Sequence, residues 1–369
     1  MQKKVVIVGA GTAGLILAKQ LALGGVDTTV HEAKKAIGDG IEKASGILSI
    51  EGLSSLGIDY ADSVTNILDT AILHAGREQL VIKTTGAKAF VVDRRELARL
   101  CAKEATAAGA KIVLDSRLGR EELKSIADGC ILVGADGAVS NVASTFAFPK
   151  INEYVLTYKT EYENVDIDDY HTAELFFSNN SSHRFFAWTV PYSKERLEVG
   201  IGESMHSKRN SKSAFNTFIN SSAISGRLDK AKQIYGCASI IPLECRKETV
   251  KGNVLLIGDA AGQVKATTGG GVIFGGMCAK SAARAILDHI NKGTKLEMYD
   301  KAWRKDYGLD LKLHKLIHEY YSSLSSSGFE MVLKISKIAG VGSFLGKYGD
   351  MDKPSTILKN FILRGNKIR

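Results

Sequence analysis

The chain has 369 residues, 44% of them apolar and 24% charged, with a net charge of +9. That length suits one large domain or two interleaved ones, and the balance fits a soluble globular protein rather than a disordered or membrane-spanning chain. Five cysteines, Cys101, Cys130, Cys237, Cys245 and Cys278, stand far apart with no CxxC pair, which argues against a disulfide framework, a zinc site or an iron–sulfur cluster and fits a reducing cytoplasm.

The N-terminus sets lysines before an apolar run, as a signal peptide does, but its glycines have a structural reading. Residues 4–8 (KVVIV) are predicted to form a buried strand, GAGTAG at 9–14 to turn the chain, and the apolar residues up to Leu23 to form a helix. DTTVHE then gives a second strand ending at Glu32, 18 residues beyond Gly14. Strand, G-x-G-x-x-G, helix, strand and acid in that order are the parts of an adenine-dinucleotide site. Gly9 permits the tight turn and Gly11 lets a pyrophosphate reach the backbone at the positive end of the helix. Gly14 lets helix and strand pack closely, and Glu32 accepts hydrogen bonds from a ribose diol. An acid at that position disfavours a 2′-phosphate, which leaves FAD or NAD.

Between about 151 and 245 the pattern changes to alternating segments, VLTYKTEY, TAELFFS, RFFAWTV and RLEVGIG, read as an antiparallel sheet. Phe177, Phe185, Phe186, Trp188 and Tyr192 are candidates for an apolar ligand wall.

VLLIGDAAG at 254–262 is another apolar strand, and it delivers Asp259 to a carboxyl end, where ligands lie in open α/β sheets. Bare backbone at 269–271 follows, then a helical pattern. A reduced flavin is anionic along its N1 and C2 carbonyl edge, so backbone N–H groups and a helix N-terminus stabilise it. NAD needs no such second station. Gly269, Gly270 and Gly271 are therefore expected to hold the flavin end of FAD.

The tail from 301 to 369 carries thirteen Lys and Arg against six Asp and Glu, in stretches such as YGLDLKLHKLIHEYYSSL and FEMVLKISKIAGVGSFLGKYG. Their apolar residues recur at helical spacing, so a basic helical region is expected, whose helices either cap the domain core or make a peripheral contact with an anionic membrane surface. Nucleic acid is not expected, because the basic residues are not interleaved with base-stacking aromatics. His314 and His318 are one turn apart without further ligands nearby in sequence, and no metal is predicted. No stretch supplies the run of about 20 apolar residues that a spanning helix needs.

Two stretches resemble parts of the flavoprotein monooxygenases of the p-hydroxybenzoate hydroxylase type. VVDRRELARLCAKEATAAGAKIVLDSRL (91–118) resembles their Asp-Arg helix with its following strand, and CILVGADGAVS (130–140) their Asp-Gly motif, with Asp136 as the acid. In more detail, GDAAGQVKATTGGGV (258–272) resembles GDAAGQVKPTTGGGI, the signature of archaeal geranylgeranyl reductases, also called digeranylgeranylglycerophospholipid reductases. FAWTVP (186–191) is similar to their YxWxFP motif, and GDGIEKASG (38–46) occupies the place of their GEPVRCxxG.

The resemblance implies FAD contacts at Ala13, Glu32, Lys43, Ala44, Gly46, Arg94, Leu118, Asp259, Gly271 and Val272. It also implies an FAD-dependent oxidoreductase that saturates isoprenoid double bonds of ether lipids or other prenyl lipids. Candidate substrate contacts are Phe177, Phe186, Trp188 and Pro191. Only one Rossmann-type glycine loop exists, so the electron donor, NAD(P)H or a ferredoxin, is expected to visit transiently. Lys43 stands where many members of the family carry cysteine, Ala266 replaces proline, Phe186 replaces tyrosine, and Ala143 lies near the place of an arginine. FAWTVP also resembles the WxWxIP motif of flavin-dependent halogenases. A prenyl-binding escort of the Rab GDP-dissociation inhibitor group keeps a related fold without flavin chemistry.

The expected fold is α/β. A Rossmann-type FAD-binding domain (1–70, 91–150 and 246–300) is interleaved with a mostly antiparallel β substrate domain (71–90 and 151–245), followed by a helical basic C-terminal region (301–369). The strands within 72–84 are expected to join the antiparallel sheet that roofs the flavin.

Overall fold

The computed structural model describes residues 4–40, 45–178 and 182–357. The chain opens with β1 (Val5–Val8), α1 (Thr12–Leu23) and β2 (Thr28–His31). Next come β3 (Ile47–Ser49), α2 (Ile50–Ser55), β4 (Val64–Leu68), β5 (Thr70–Ala75), β6 (Glu78–Lys83) and β7 (Ala89–Val92). The first nucleotide-binding half closes with α3 (Arg94–Ala107), β8 (Lys111–Val113), α4 (Arg120–Gly129), β9 (Ile131–Gly134) and α5 (Asn141–Thr145).

These elements build a six-stranded sheet in the order β15-β16-β9-β1-β2-β8, once β15 (Val250–Lys251) and β16 (Val254–Leu256) are added late in the chain. All pairings are parallel except the edge hairpin β15–β16. Strand β1 is apolar at every position because both faces are covered. Val5 and Ile7 join the core cluster that holds Leu15, Leu17 and Leu21 of α1, whereas Val6 joins Leu123 of α4 and Val142 of α5. Helix α1 is apolar around most of its girth for the same reason, lying between the sheet, α3 and a later helix, α7 (Val272–Lys292).

The second sheet is assembled from β10 (Tyr154–Glu163), β11 (Thr172–Phe176), β12 (Ala187–Pro191), β13 (Arg196–Ser204) and, beyond α6 (Ser211–Ile219), β14 (Lys232–Pro242). With the hairpin β5–β6 it forms seven strands in the order β14-β10-β13-β12-β11-β5-β6. The pairing is antiparallel throughout, apart from β11 with β5. The period of two sorts its side chains. Leu197, Val199 and Ile201 of β13 pack with Phe215 and Phe218 of α6, which leaves Glu198, Gly200 and Gly202 on the opposite face. A small antiparallel sheet, β3-β7-β4, joins the two larger ones.

The chain ends in α7 (Val272–Lys292), α8 (Met298–Ser322), α9 (Ser326–Ile338) and α10 (Val341–Tyr348). Helix α8 is bolted to the first sheet by Trp303, 1% exposed, whose Nε1 donates to Thr249 Oγ1 at 3.0 Å. Helix α9 lays Phe329 and Leu333 against Phe177 and Tyr321, and both α9 and α10 pack on β6. The expected α/β architecture with its helical tail is what forms. The tail is not an appendage, because residues 349–351 and 357 return to line the central cavity.

Replacing Trp303 with alanine opens a cavity in the joint between α8 and the first sheet, and is expected to destabilise the protein by about 3–5 kcal/mol. Urea unfolding followed by circular dichroism checks this. A single cooperative transition shifted to lower urea is expected; early loss of the tail helices alone would show them to be an independent unit.

Candidate functional site

Three parallel strands end side by side in the order β16, β9, β1, at Leu256, Gly134 and Val8. From β1 the chain moves to β2 on one side, while β9 lies on the other, so a crevice opens beyond their carboxyl ends. A cavity of about 1360 Å3 begins there, lined by Gly11, Thr12 and Ala13 after β1, Ala135, Gly137 and Ala138 after β9, and Ile257 to Asp259 after β16. Gly9 makes the approach possible. Its φ of +104° is one that side chains resist, and a Cβ on it would fall 2.4 Å from the Ala135 carbonyl oxygen. A Cβ on Gly14 would fall 2.2 Å from the Gly9 oxygen. Glu32, just beyond β2, is aimed from beneath: Ala10 N–H donates to one carboxylate oxygen at 2.7 Å and Lys34 N–H to the other at 2.9 Å.

Arg94 and Asp259 meet the cavity from different parts of the chain. Asp93 caps α3, its Oδ1 accepting from Arg95 N–H at 2.8 Å and Glu96 N–H at 3.1 Å, and so delivers Arg94 as the first helical residue. Burial lowers the pKa of Arg94 and raises that of Asp259, and each charge partly offsets the shift of the other. Arg94 Nε and Thr12 Oγ1 are buried without a hydrogen-bond partner among the described residues. Both belong to cavity-lining residues, so a polar ligand is needed to complete them.

The second glycine loop is braced from behind. The side chain of Gln263, fully buried, accepts from Gly258 N–H at 2.8 Å and donates to Tyr299 Oη at 2.9 Å, which donates on to the Leu256 carbonyl at 3.0 Å. Gly270, Gly271 and Val272 line the cavity where α7 begins, and no side chain caps that helix. Its N-terminal amides therefore point their partial positive charge into the cavity. A Cβ on Gly271 would lie 2.5 Å from Asp259 Oδ1, so only bare backbone lets the carboxylate and the helix start share this corner.

Beside the loop, Lys265 Nζ donates to Asp352 Oδ1 at 2.7 Å, an ion pair almost wholly buried. Burial pushes the Asp352 carboxyl up, but the Lys265 charge and hydrogen bonds from Lys265 and Ser49 outweigh it and hold it below the usual range. His314 completes the knot. Its Nε2 donates to the Asp352 carbonyl at 3.0 Å, so Nδ1 accepts from Thr267 Oγ1 at 2.7 Å. Burial first, then the Lys265 charge, lower its pKa to about 4. His318 instead packs its ring near Phe185 and Tyr321.

At its other end the cavity runs under the seven-stranded sheet, between Leu156, Ile240, Ile241, Phe185 and Phe186. Trp188 lines it with its Nε1–H committed to Glu198 Oε1 at 2.7 Å, so the indole offers hydrocarbon rather than a donor. Glu198 is fully buried and also accepts from Lys159 Nζ at 2.6 Å and Tyr192 Oη at 3.2 Å. Burial raises its pKa, yet the Lys159 charge and these donors bring it below the normal value.

The remaining expected residues fall less centrally. Gly46 pairs with Val92, its carbonyl accepting at 3.0 Å, between the cavity-lining Ser45 and Ile47. Asp136 spends its carboxylate on Ser140 Oγ at 2.6 Å and Val142 N–H at 3.1 Å, while its neighbours Ala135 and Gly137 line the cavity. Leu118 packs at the edge of the cluster around Leu123 and takes an Asn141 hydrogen bond on its carbonyl. Phe177 packs in the joint to α8 and α9, and Pro191 holds the Asn66 amide with its carbonyl; neither is among the described lining residues. Lys43 and Ala44 lie outside the described residues. Gln263, Lys265, Asp352 and Glu198 were not singled out by sequence reasoning. Gln263 and Lys265 sit inside the glycine-rich stretch and could have been questioned there; Asp352 reaches the site from 87 positions away with no local signal.

An FAD fits this arrangement: two glycine loops lining one crevice, an acid beneath the first, unpaired polar atoms at Arg94 and Thr12, and a cavity larger than the roughly 300–1,000 Å3 of ordinary small-molecule sites. A model of the FAD binding domain family matches residues 2–305. The chain is 27% identical to digeranylgeranylglycerophospholipid reductase 1 of Methanothermobacter thermautotrophicus over 89% of each chain. Its fold is similar to that of a geranylgeranyl bacteriochlorophyll reductase-like protein from Thermoplasma acidophilum, with a TM-score of 0.81 and 18% identity over 97% of this chain and 95% of that one. A flavin-dependent brominase is also similar, with a TM-score of 0.68 and 16% identity over 100% of both chains. FAD is the cofactor that the family model names, and the residues of the site fit it.

The His314 shift has a consequence for stability. Because its folded pKa of about 4 lies below the ordinary 6.5, the unfolded chain binds more protons between those values, and stability falls by about 3 kcal/mol as pH drops through that window. Asp352, depressed in the folded state, keeps its contribution until pH falls below the normal carboxylate value. Thermal melts across this range should slope steeply for the native chain and less for His314→Gln; equal slopes would contradict the assignment.

Proposed function

The chain belongs to the FAD binding domain family and is an FAD-dependent oxidoreductase; from that premise we propose that it saturates isolated C=C bonds in the isoprenoid chains of ether or other prenyl lipids. The observation that carries this reading is the continuity of one cavity, from the amides at the start of α7 to the apolar passage under the seven-stranded sheet. It is supported by the name of the Methanothermobacter relative, similar along most of both chains.

Saturation adds a hydride to one alkene carbon and a proton, drawn from an acid or an ordered water, to the other. Reduced FAD supplies the hydride when bound, and is oxidised in doing so. The chain's own residues do the rest. The N–H groups of Gly11 to Ala13 and Glu32 bind the dinucleotide's polar half, Arg94 and Asp259 its middle, and the amides at Gly270 to Val272 oppose charge on the flavin edge. Lys43, Ala44, Gly46 and Leu118 are assigned secondary cofactor contacts, and Asp136 acts through the turn that it braces. Phe186 and Trp188 wall the prenyl chain, with Phe177 and Pro191 behind them. An isolated alkene has no carbonyl to take negative charge, so the proton must arrive with or before the hydride, and positive charge builds on carbon. The π faces of Phe186 and Trp188 suit that charge. The electron donor, NAD(P)H or a ferredoxin, visits transiently.

Moving a twenty-carbon chain from water would release something like 15 kcal/mol at about 0.8 per CH2, but from a bilayer the transfer is close to neutral. The cavity therefore need only match lipid, which its apolar lining does.

The test is anaerobic. Purified protein with bound flavin, reduced with dithionite and given geranylgeranyl lipid, should yield products heavier in steps of two hydrogens while the yellow oxidised spectrum returns. Flavin that stays reduced over unchanged lipid would contradict the reading. Oxygen-dependent formation of a halogenated or hydroxylated product would replace it with the chemistry of the halogenase-like folds.

A further inference from the structure

Resting on the reading of the cavity as a prenyl-lipid site, we propose that α9 is a membrane-docking helix that lies in the headgroup layer of an anionic bilayer and sets the cavity mouth against it. Met331 is 64% exposed, Ile335 59% and Ile338 80%. Their spacing of four and then three residues puts them on one stripe of the helix. On the other side Phe329 and Leu333 are buried against Phe177 and Tyr321. Single exposed apolar residues are ordinary on protein surfaces, but a stripe on a helix that already buries its opposite face calls for an occupant.

Charge selects the occupant. Lys334 and Lys337 are exposed alongside the stripe. The helix's one acid, Glu330, is half-buried and engaged by the β5–β6 turn, where it accepts from Arg77 N–H at 3.2 Å. Lysine stems can lie along an apolar surface while their ammonium groups reach lipid phosphates. The core of an interface with a second copy would instead be depleted of lysine. No helix among the described residues is long and apolar enough to cross a membrane, so lipid must be reached from the surface.

The same segment leads to the cavity. Helix α9 packs against α10, whose Leu345 lines the cavity, and Met351 a few residues later both lines it and is 40% exposed. Met351 thus stands at an opening on the α9–α10 side, where a prenyl chain can pass from bilayer to enzyme without crossing water.

The holoenzyme is to be co-sedimented with vesicles of mixed phosphatidylglycerol and phosphatidylcholine and with vesicles of phosphatidylcholine alone. It should sediment with the anionic vesicles and be released by salt. Lys334→Glu with Lys337→Glu should lower binding by about tenfold or more, and Met331→Ser with Ile335→Ser and Ile338→Ser should do the same. Melting temperature and bound flavin are to be measured for each variant and should be unchanged. Wild-type binding equal for both vesicle types, undiminished binding by the variants, or a wild-type dimer that the variants dissociate would overturn the proposal. Reduction of a short, water-soluble prenyl alcohol separates the two readings: its failure in native protein that still binds vesicles would count against the reductase and not against the docking face.

Discussion

The site in this protein depends on bare main chain at two glycines, where no side chain can be accommodated. Gly9 touches the backbone after β9, and Gly271 touches the carboxylate of Asp259, at distances that a Cβ would forbid. These two contacts shape the walls of one crevice. The first draws the ends of β1 and β9 together beneath a helix N-terminus, and the second draws the end of β16 to the start of α7. The sheet order that brings β16, β9 and β1 side by side is what lets loops some 250 residues apart line one cavity, into which an FAD fits.

Around that frame the chain places buried charge where it fixes geometry. Lys265 and Asp352 tie the segment after α10 to the second glycine loop, and either charge alone would be left uncompensated in a buried corner. Glu198 plays a similar part in the roof, holding Trp188 by its N–H so that only ring carbon faces the cavity. The consequence is that the C-terminal helices are part of the site. They close its wall from outside while presenting a lysine-edged apolar stripe to whatever lies beyond.

The first nucleotide-binding unit was legible almost to the residue, because strand, glycine turn, helix and acid are local and each has a single physical reason. The same was true of the strand before Asp259 and of the segments that became β10 to β13, whose alternation was plain. Strand β14, helix α6 and the small β3-β7-β4 sheet were not singled out: β14 lacks a clear alternation and is exposed or half-buried along almost all of its length, and β3 spans only three residues. Within the site, Asp259 and the triple glycine could be chosen from sequence because one strand-and-loop segment carries them, whereas Arg94, at the start of α3, was named only through the family resemblance. Asp352 and Glu198 could not, since their partners come from other elements and a lone acid in a basic tail or a strand reads as surface. Phe177 shows the converse. Its aromatic character suggested a ligand wall, whereas the fold uses it to seat α9.

The most direct test of the central claim is a crystal structure of the FAD complex. The pyrophosphate should lie over the amides of Gly11 to Ala13, with the N1 and C2 carbonyl edge of the ring system against Gly270 to Val272 and its face toward Trp188. A flavin ring turned away from the start of α7, or a dinucleotide that occupies only the first loop, would contradict the account.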